Sequence, residues 1–159
     1  ARDFFDESVK AAKLLGRRAL LPYGRDQAPP KGLTNEITAF EYAPYSLVFP
    51  RAACVVHQGG VGTTGQVLRA GVPHLIMPYG HDQPDNAARC RRLRVAEVIS
   101  RGQYNAKNAA AIIRRLLTDP KYAGATRRVS EIVRSEHGTR TACDAIEEVL
   151  REQAKAVKY

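Results

Sequence analysis

The sequence predicts an α/β domain in which helices cover both faces of a mainly parallel sheet, giving three layers. Two observations carry that prediction. Apolar runs alternate with helix-like stretches over most of the chain, and one of those runs leads straight into a glycine-rich turn and a helix, "HQGGVGTTGQ" at residues 57–66. Size agrees: 159 residues, 44% hydrophobic and 26% charged, suit one domain with one core.

Taken in order, residues 2–16 read as an amphipathic helix with Phe5, Val9, Ala12 and Leu15 on one side. Strands are expected at "RALLPY" (18–23), "EITAFEYA" (36–43), "ACVVH" (53–57), "HLIMP" (74–78) and "AEVIS" (96–100). A proline-rich loop, "GRDQAPPKG", occupies 24–32, and helices are expected at 63–70 and 84–93. Gly71 followed by Pro73 marks the end of the first of these. Beyond residue 104 the chain turns helical, over 105–118, 120–136 and 139–156. Asn105 and Asp119 suit N-caps and Pro120 a first helical position. A doubly wound domain normally opens on a strand, whereas this chain opens on a helix. The expectation is therefore a fragment lacking its first, central strand.

Charge and cysteines narrow the function. The formal net charge is +9, mostly from arginine, but the basic residues are spread over helical segments. The densest cluster, Arg89 to Arg94, comes without zinc-finger spacing, an RNP-like strand or a basic zipper, so nucleic acid is not the expected partner. Cys54, Cys90 and Cys143 form neither a disulfide framework nor a metal pair. No run approaches the roughly 18 apolar residues of a membrane span, and the expected location is cytoplasmic or peripheral to a membrane. No metal or cofactor is expected.

The glycine turn is the chemical centre. Glycines let backbone approach a ligand closely, and the free N–H groups at the start of a helix, with its dipole, favour an anion. Gly60 to Gly65 also spells G-x-G-x-x-G, the dinucleotide fingerprint, so an NAD(P)-binding oxidoreductase domain is one reading. Against it, the loop follows the third recognisable strand, and Asp82 lies in a loop before a helix rather than at a strand end. A non-catalytic nucleotide or nucleic-acid module is the other alternative.

The linked motifs "APYSLVFPRAACVVHQGGVGTTGQVLRAGVPHLIMPYGHDQPDNAAR" resemble the donor-binding segment of family 1 glycosyltransferases. Those have the GT-B fold, two Rossmann-like domains, and the likeness is to the C-terminal one, especially in bacterial and fungal sterol or natural-product glucosyltransferases. It is strong over residues 36–100 and extends faintly to "SEHGTRTACDAIEEVL", which looks like the closing helix.

The resemblance implies that residues 1–159 form a single donor-binding domain for a UDP- or dTDP-hexose, part of a hexosyltransferase acting on a lipid or natural-product hydroxyl. It places His57 on the diphosphate, with Gly59, Gly60, Val61, Gly62 and Thr63 completing the cradle. Asp82 and Gln83 match the pair that grips sugar hydroxyls, and Tyr42 and Tyr45 stand near the nucleotide base. Gly65 occupies the place of a ribose-binding glutamate, which leaves UDP and dTDP equally open. The catalytic base and the acceptor site are expected in an N-terminal domain absent from this chain, so no catalytic residue is assigned and the fragment is expected to be inactive alone.

Overall fold

Each expected apolar run contains a strand: β1 (Ala19–Pro22), β2 (Ile37–Phe40), β3 (Val55–His57), β4 (His74–Ile76) and β5 (Ala96–Val98). The structure, a computed structural model, describes residues 2–156; Ala1 and residues 157–159 of the expected 1–159 domain lie outside the described residues. Around the strands run α1 (Arg2–Leu15), α2 (Tyr45–Val48), α3 (Val61–Ala70), α4 (Gln83–Arg92), α5 (Ala106–Thr118), α6 (Pro120–Ser135) and α7 (Gly138–Ala156). The short α2 and the 3-10 turns at Phe49–Arg51 and Arg101–Gln103 carry too few residues for a periodic signal and are absent from the sequence expectation.

Among the described residues every pairing between named strands is parallel. β1 pairs with β2, Ala19 opposite Ile37, and β3, β4 and β5 form a second sheet with Val55 opposite His74 and His74 opposite Ala96. Among the described residues no strand joins β1 to β3, the place where the sequence leaves a central strand to be expected. Helix α1 connects the two sheets. Its Val9 and Ala12 pack with Leu21 and Ile37, while Ala11 and Leu15 join the cluster of Leu75, Met77 and Ile99. The helix thus uses two stripes where the sequence suggested one. Alanine at 11 and 12 makes this possible, because small side chains let a helix approach on both flanks.

The β3–β5 sheet supplies a covered core. Leu75 and Met77 face α5 through Ala109, Ala110 and Leu116; on the other face Ile76 meets Ala87, Cys90 and Ala125 of α4 and α6, and Val55 meets Val67 of α3. Such fully buried aliphatic side chains contribute about 1.5–3 kcal/mol each. The expected caps form: Asn105 accepts from Asn108 N–H at 2.9 Å and Asp119 from Lys121 N–H at 3.0 Å. Gly71 ends α3 at φ 73°, in the left-handed region. Glu97 of β5 pairs with Arg115 at 3.0 Å and accepts from the Tyr122 hydroxyl, tying the edge strand to α5 and α6. No described helix is long and apolar enough to cross a membrane.

Candidate donor-binding site

The carboxyl ends of parallel strands are where open α/β sheets place ligands, and here three chain segments meet at those ends. After β3, His57 turns back under the loop it precedes. Its Nδ1 accepts the Gly59 N–H at 3.1 Å, and the ring is only 6% exposed. Since Nδ1 accepts, the neutral ring carries its proton on Nε2, which is buried without a partner. Beside it, edge-on at 5.2 Å between centroids, lies the fully buried His74. Burial pushes His57 down to about 4 and His74 to about 3, so both are neutral at pH 7.

Gly59 requires its residue type. Its φ is +91°, and a Cβ there would stand 2.9 Å from Ile76 Cγ2 and 3.3 Å from the Gln83 carbonyl. Gly60 is the N-cap of α3, which begins at Val61, two residues before the expected start, so Val61, Gly62 and Thr63 form the first turn of the helix. Neither threonine caps it. The first intrahelical bond runs from Thr64 N–H to Gly60 carbonyl at 2.9 Å, which leaves the amides of Val61, Gly62 and Thr63 without an intrahelical acceptor. The turn is open: Val61 is 72% exposed and a Cβ on Gly62 would meet nothing within 4 Å. These amides and the dipole of α3 make a site for an oxyanion, with a neutral His57 beneath.

The second segment follows β4. His81 adopts φ 57°, and Gln83 Oε1 accepts from the amides of Tyr79 at 2.8 Å and Gly80 at 3.4 Å. The Gln83 oxygen is therefore spent on its own loop, leaving the side-chain NH2 to donate outward. Asp82 is exposed; one carboxylate oxygen accepts from Asn86 Nδ2 at 2.7 Å and the other is open. Asn86 also donates to the Gly59 carbonyl at 2.9 Å. Sequence reasoning missed Asn86; its one signal was the i, i+4 spacing from Asp82 across the first turn of α4. Asp82 opens α4, six residues beyond the end of β4, and so is not the strand-end acid that a dinucleotide site needs.

The third segment is a cleft of about 450 Å³ lined by Pro22 at the end of β1, Gly24 just after it, Glu41 through Ser46 after β2, and Gln66 of α3. The two expected tyrosines differ in it. Tyr42 is 73% exposed, with its ring free to stack, whereas Tyr45 is stacked on Phe49 at 4.6 Å and packs against the core. Gly65 lies on the same helix as Gln66, and nothing stands within 4 Å of a Cβ placed there.

Comparison with known proteins decides the family. The profile of the erythromycin biosynthesis protein CIII-like C-terminal domain matches residues 25–149. The chain belongs to this family. An O-mycaminosyltylonolide 6-deoxyallosyltransferase of Streptomyces fradiae is 39% identical over 147 residues, 92% of this chain and 34% of that protein. A sterol 3-beta-glucosyltransferase of Cryptococcus neoformans is 37% identical over 122 residues, 77% of this chain and 8% of that protein. The solved structure of the glycotransferase of kitacinnamycin superposes with a TM-score of 0.82 at 28% identity, over 91% of this chain and 38% of that one. The fold is that of the C-terminal domain of GT-B glycosyltransferases, and the chain spans about a third of the length of the Streptomyces relative.

Within this glycosyltransferase C-terminal domain, the loop of Gly59 to Thr63 and the Asp82–Gln83 pair are brought together through Asn86. Tyr42 lines a separate cleft that Gln66 of α3 also lines, and His57 lies under the loop rather than on its open face.

Proposed function

We propose that this domain binds a nucleoside-diphosphate hexose, UDP- or dTDP-linked, and presents its anomeric carbon for transfer to a hydroxyl of a lipid or natural product. The observation that carries this reading is the open first turn of α3, where the amides of Val61, Gly62 and Thr63 have no intrahelical acceptor, beside a loop that Asn86 ties to the Asp82 carboxylate.

As the glycosidic bond breaks, negative charge grows on the departing diphosphate. Pre-aimed amides and a helix dipole stabilise that charge without reorganising. His57 supports this from beneath, its Nδ1 holding the Gly59 amide at the start of the loop, so its part is to anchor the cradle rather than to touch the diphosphate. Asp82 accepts from sugar hydroxyls and the Gln83 amide donates to them, while Tyr42 offers its ring to the base and Tyr45 shapes the cleft wall. The base that deprotonates the acceptor belongs to an N-terminal domain, so the chain alone binds donor and transfers nothing.

Amide chemical-shift mapping with UDP-glucose and dTDP-glucose tests this reading. The expected shifts fall on Gly60 to Thr63, Asp82, Gln83 and Tyr42; shifts confined to α6 and α7 would remove it.

A further inference from the structure

An aspartate at a helix N-cap normally turns its carboxylate onto the amides of the first turn. Asp82 stands at the N-cap of α4 and makes no such bond. Part of the reason is local, since the second helical position is Pro84, which has no N–H. The rest is Asn86. Its Nδ2 carries two hydrogens, and one goes to Asp82 Oδ2 at 2.7 Å while the other goes to the Gly59 carbonyl at 2.9 Å. Both partners are pure acceptors, so the amide orientation is fixed: the flipped form would set its oxygen against a carbonyl and a carboxylate.

Gly59 is held from two further sides. Its N–H is taken by His57, and the backbone of Gln83 lies 3.3 Å from where its Cβ would be. One nitrogen thus joins the first segment of the site to the second. We propose that Asn86 is a positioning residue that locks the Asp82 carboxylate to the diphosphate loop, making phosphate recognition and sugar recognition one rigid unit. The inference rests on the donor-binding reading above and adds to it the residue that holds the sugar-binding carboxylate in place. With Oδ2 committed to Asn86, Asp82 presents Oδ1 alone, in a fixed direction, to a hydroxyl of the hexose. Without Asn86 the exposed carboxylate is free to rotate, and the ordering cost falls on each binding event.

The test compares sugar-bearing and sugar-free ligands on the same chain. Calorimetry with UDP-glucose, UDP, dTDP-glucose and dTDP is run on the unaltered protein, Asn86→Ala, Asp82→Ala and the double variant. Asn86→Ala is expected to weaken the preferred nucleotide-glucose about tenfold and its free diphosphate less than about threefold, with no added loss in the Asp82→Ala background. Asn86→Asp, which cannot donate and faces Asp82, should weaken the nucleotide-glucose at least as much. Equal losses for glucose-bearing and free diphosphates, or additive losses in the double variant, would overturn the proposal. A ligand-free measurement separates the lock from the parent reading: the Asn86 side-chain NH2 protons should exchange with water measurably more slowly than those of exposed Gln58. Exchange at the same rate as Gln58 overturns the lock itself, and failure of the unaltered chain to bind any of the four ligands overturns the donor-binding reading.

Discussion

His57 and His74 meet edge-on, 5.2 Å between ring centroids, and both residues are buried. Among the described residues neither His74 nitrogen has a hydrogen-bond partner, and the buried Thr64 hydroxyl likewise has none. Such groups are tolerated only while uncharged.

That pair makes stability depend on pH. Both histidines are depressed by burial, to about 4 and about 3, from the 6.5 of the unfolded chain. The folded state therefore binds fewer protons than the unfolded state. Stability is fully present above pH 6.5 and declines as pH falls toward 4 and then 3, by a total on the order of a few kcal/mol. Thermal melts across pH 7 to 4 check this. His74→Gln, which cannot be charged, should flatten the decline.

A second stability change has a narrower origin. Glu7 Oε2 accepts the Ala106 N–H at 2.7 Å, placing a carboxylate at the start of α5, and Lys10 lies 2.6 Å from its other oxygen. The Lys10 hydrogen bond, then the Ala106 amide, hold the Glu7 carboxyl below its usual range. Its contribution is thus present above the unfolded carboxylate range and lost as pH falls through the folded value. Glu7→Gln should cost about 0.5–1 kcal/mol in denaturant unfolding at pH 7 and nothing once the carboxyl is protonated.

Two glycines should respond in opposite ways. Gly59→Ala combines a left-handed φ of +91° with a contact at 2.9 Å, so it should lose about 1–3 kcal/mol of stability and most diphosphate affinity. Gly65→Ala, inside α3 with open space around it, should gain about 0.5–1 kcal/mol. Denaturant midpoints of the two variants check both signs.

The tyrosines separate binding from packing. Tyr42→Ala should leave stability within about 0.5 kcal/mol of the parent and weaken nucleotide binding about fivefold to tenfold. Tyr45→Ala, which strips the stack on Phe49 at 4.6 Å, should cost about 2–3 kcal/mol. Paired melts and titrations distinguish them.

The strands and long helices were legible because each is an apolar run or a periodic face bounded by glycine, proline or a capping side chain. Gly71, Asn105 and Asp119 marked their boundaries by local chemistry alone. What stayed hidden depends on partners distant in sequence. The two stripes of α1 exist because two separate sheets lie against one helix. Asn86 reads as an ordinary helix-surface residue until Gly59, 27 positions away, is brought against it. The depth of His57 depends on its register opposite Ile76 and on the cover supplied by α3. Motif order pointed to the glycine loop, the Asp82–Gln83 pair and the two tyrosines as candidates, but not to His57 lying under the loop while Tyr42 stands exposed.

Calorimetric titration of the unaltered chain with UDP, dTDP and NAD, followed by His57→Ala with the better diphosphate, tests the central claim most directly. Saturable binding of at least one nucleoside diphosphate is expected, weakened about tenfold by His57→Ala through loss of the Gly59 anchor, with no binding of NAD. Saturable NAD binding with no response to either diphosphate would contradict it.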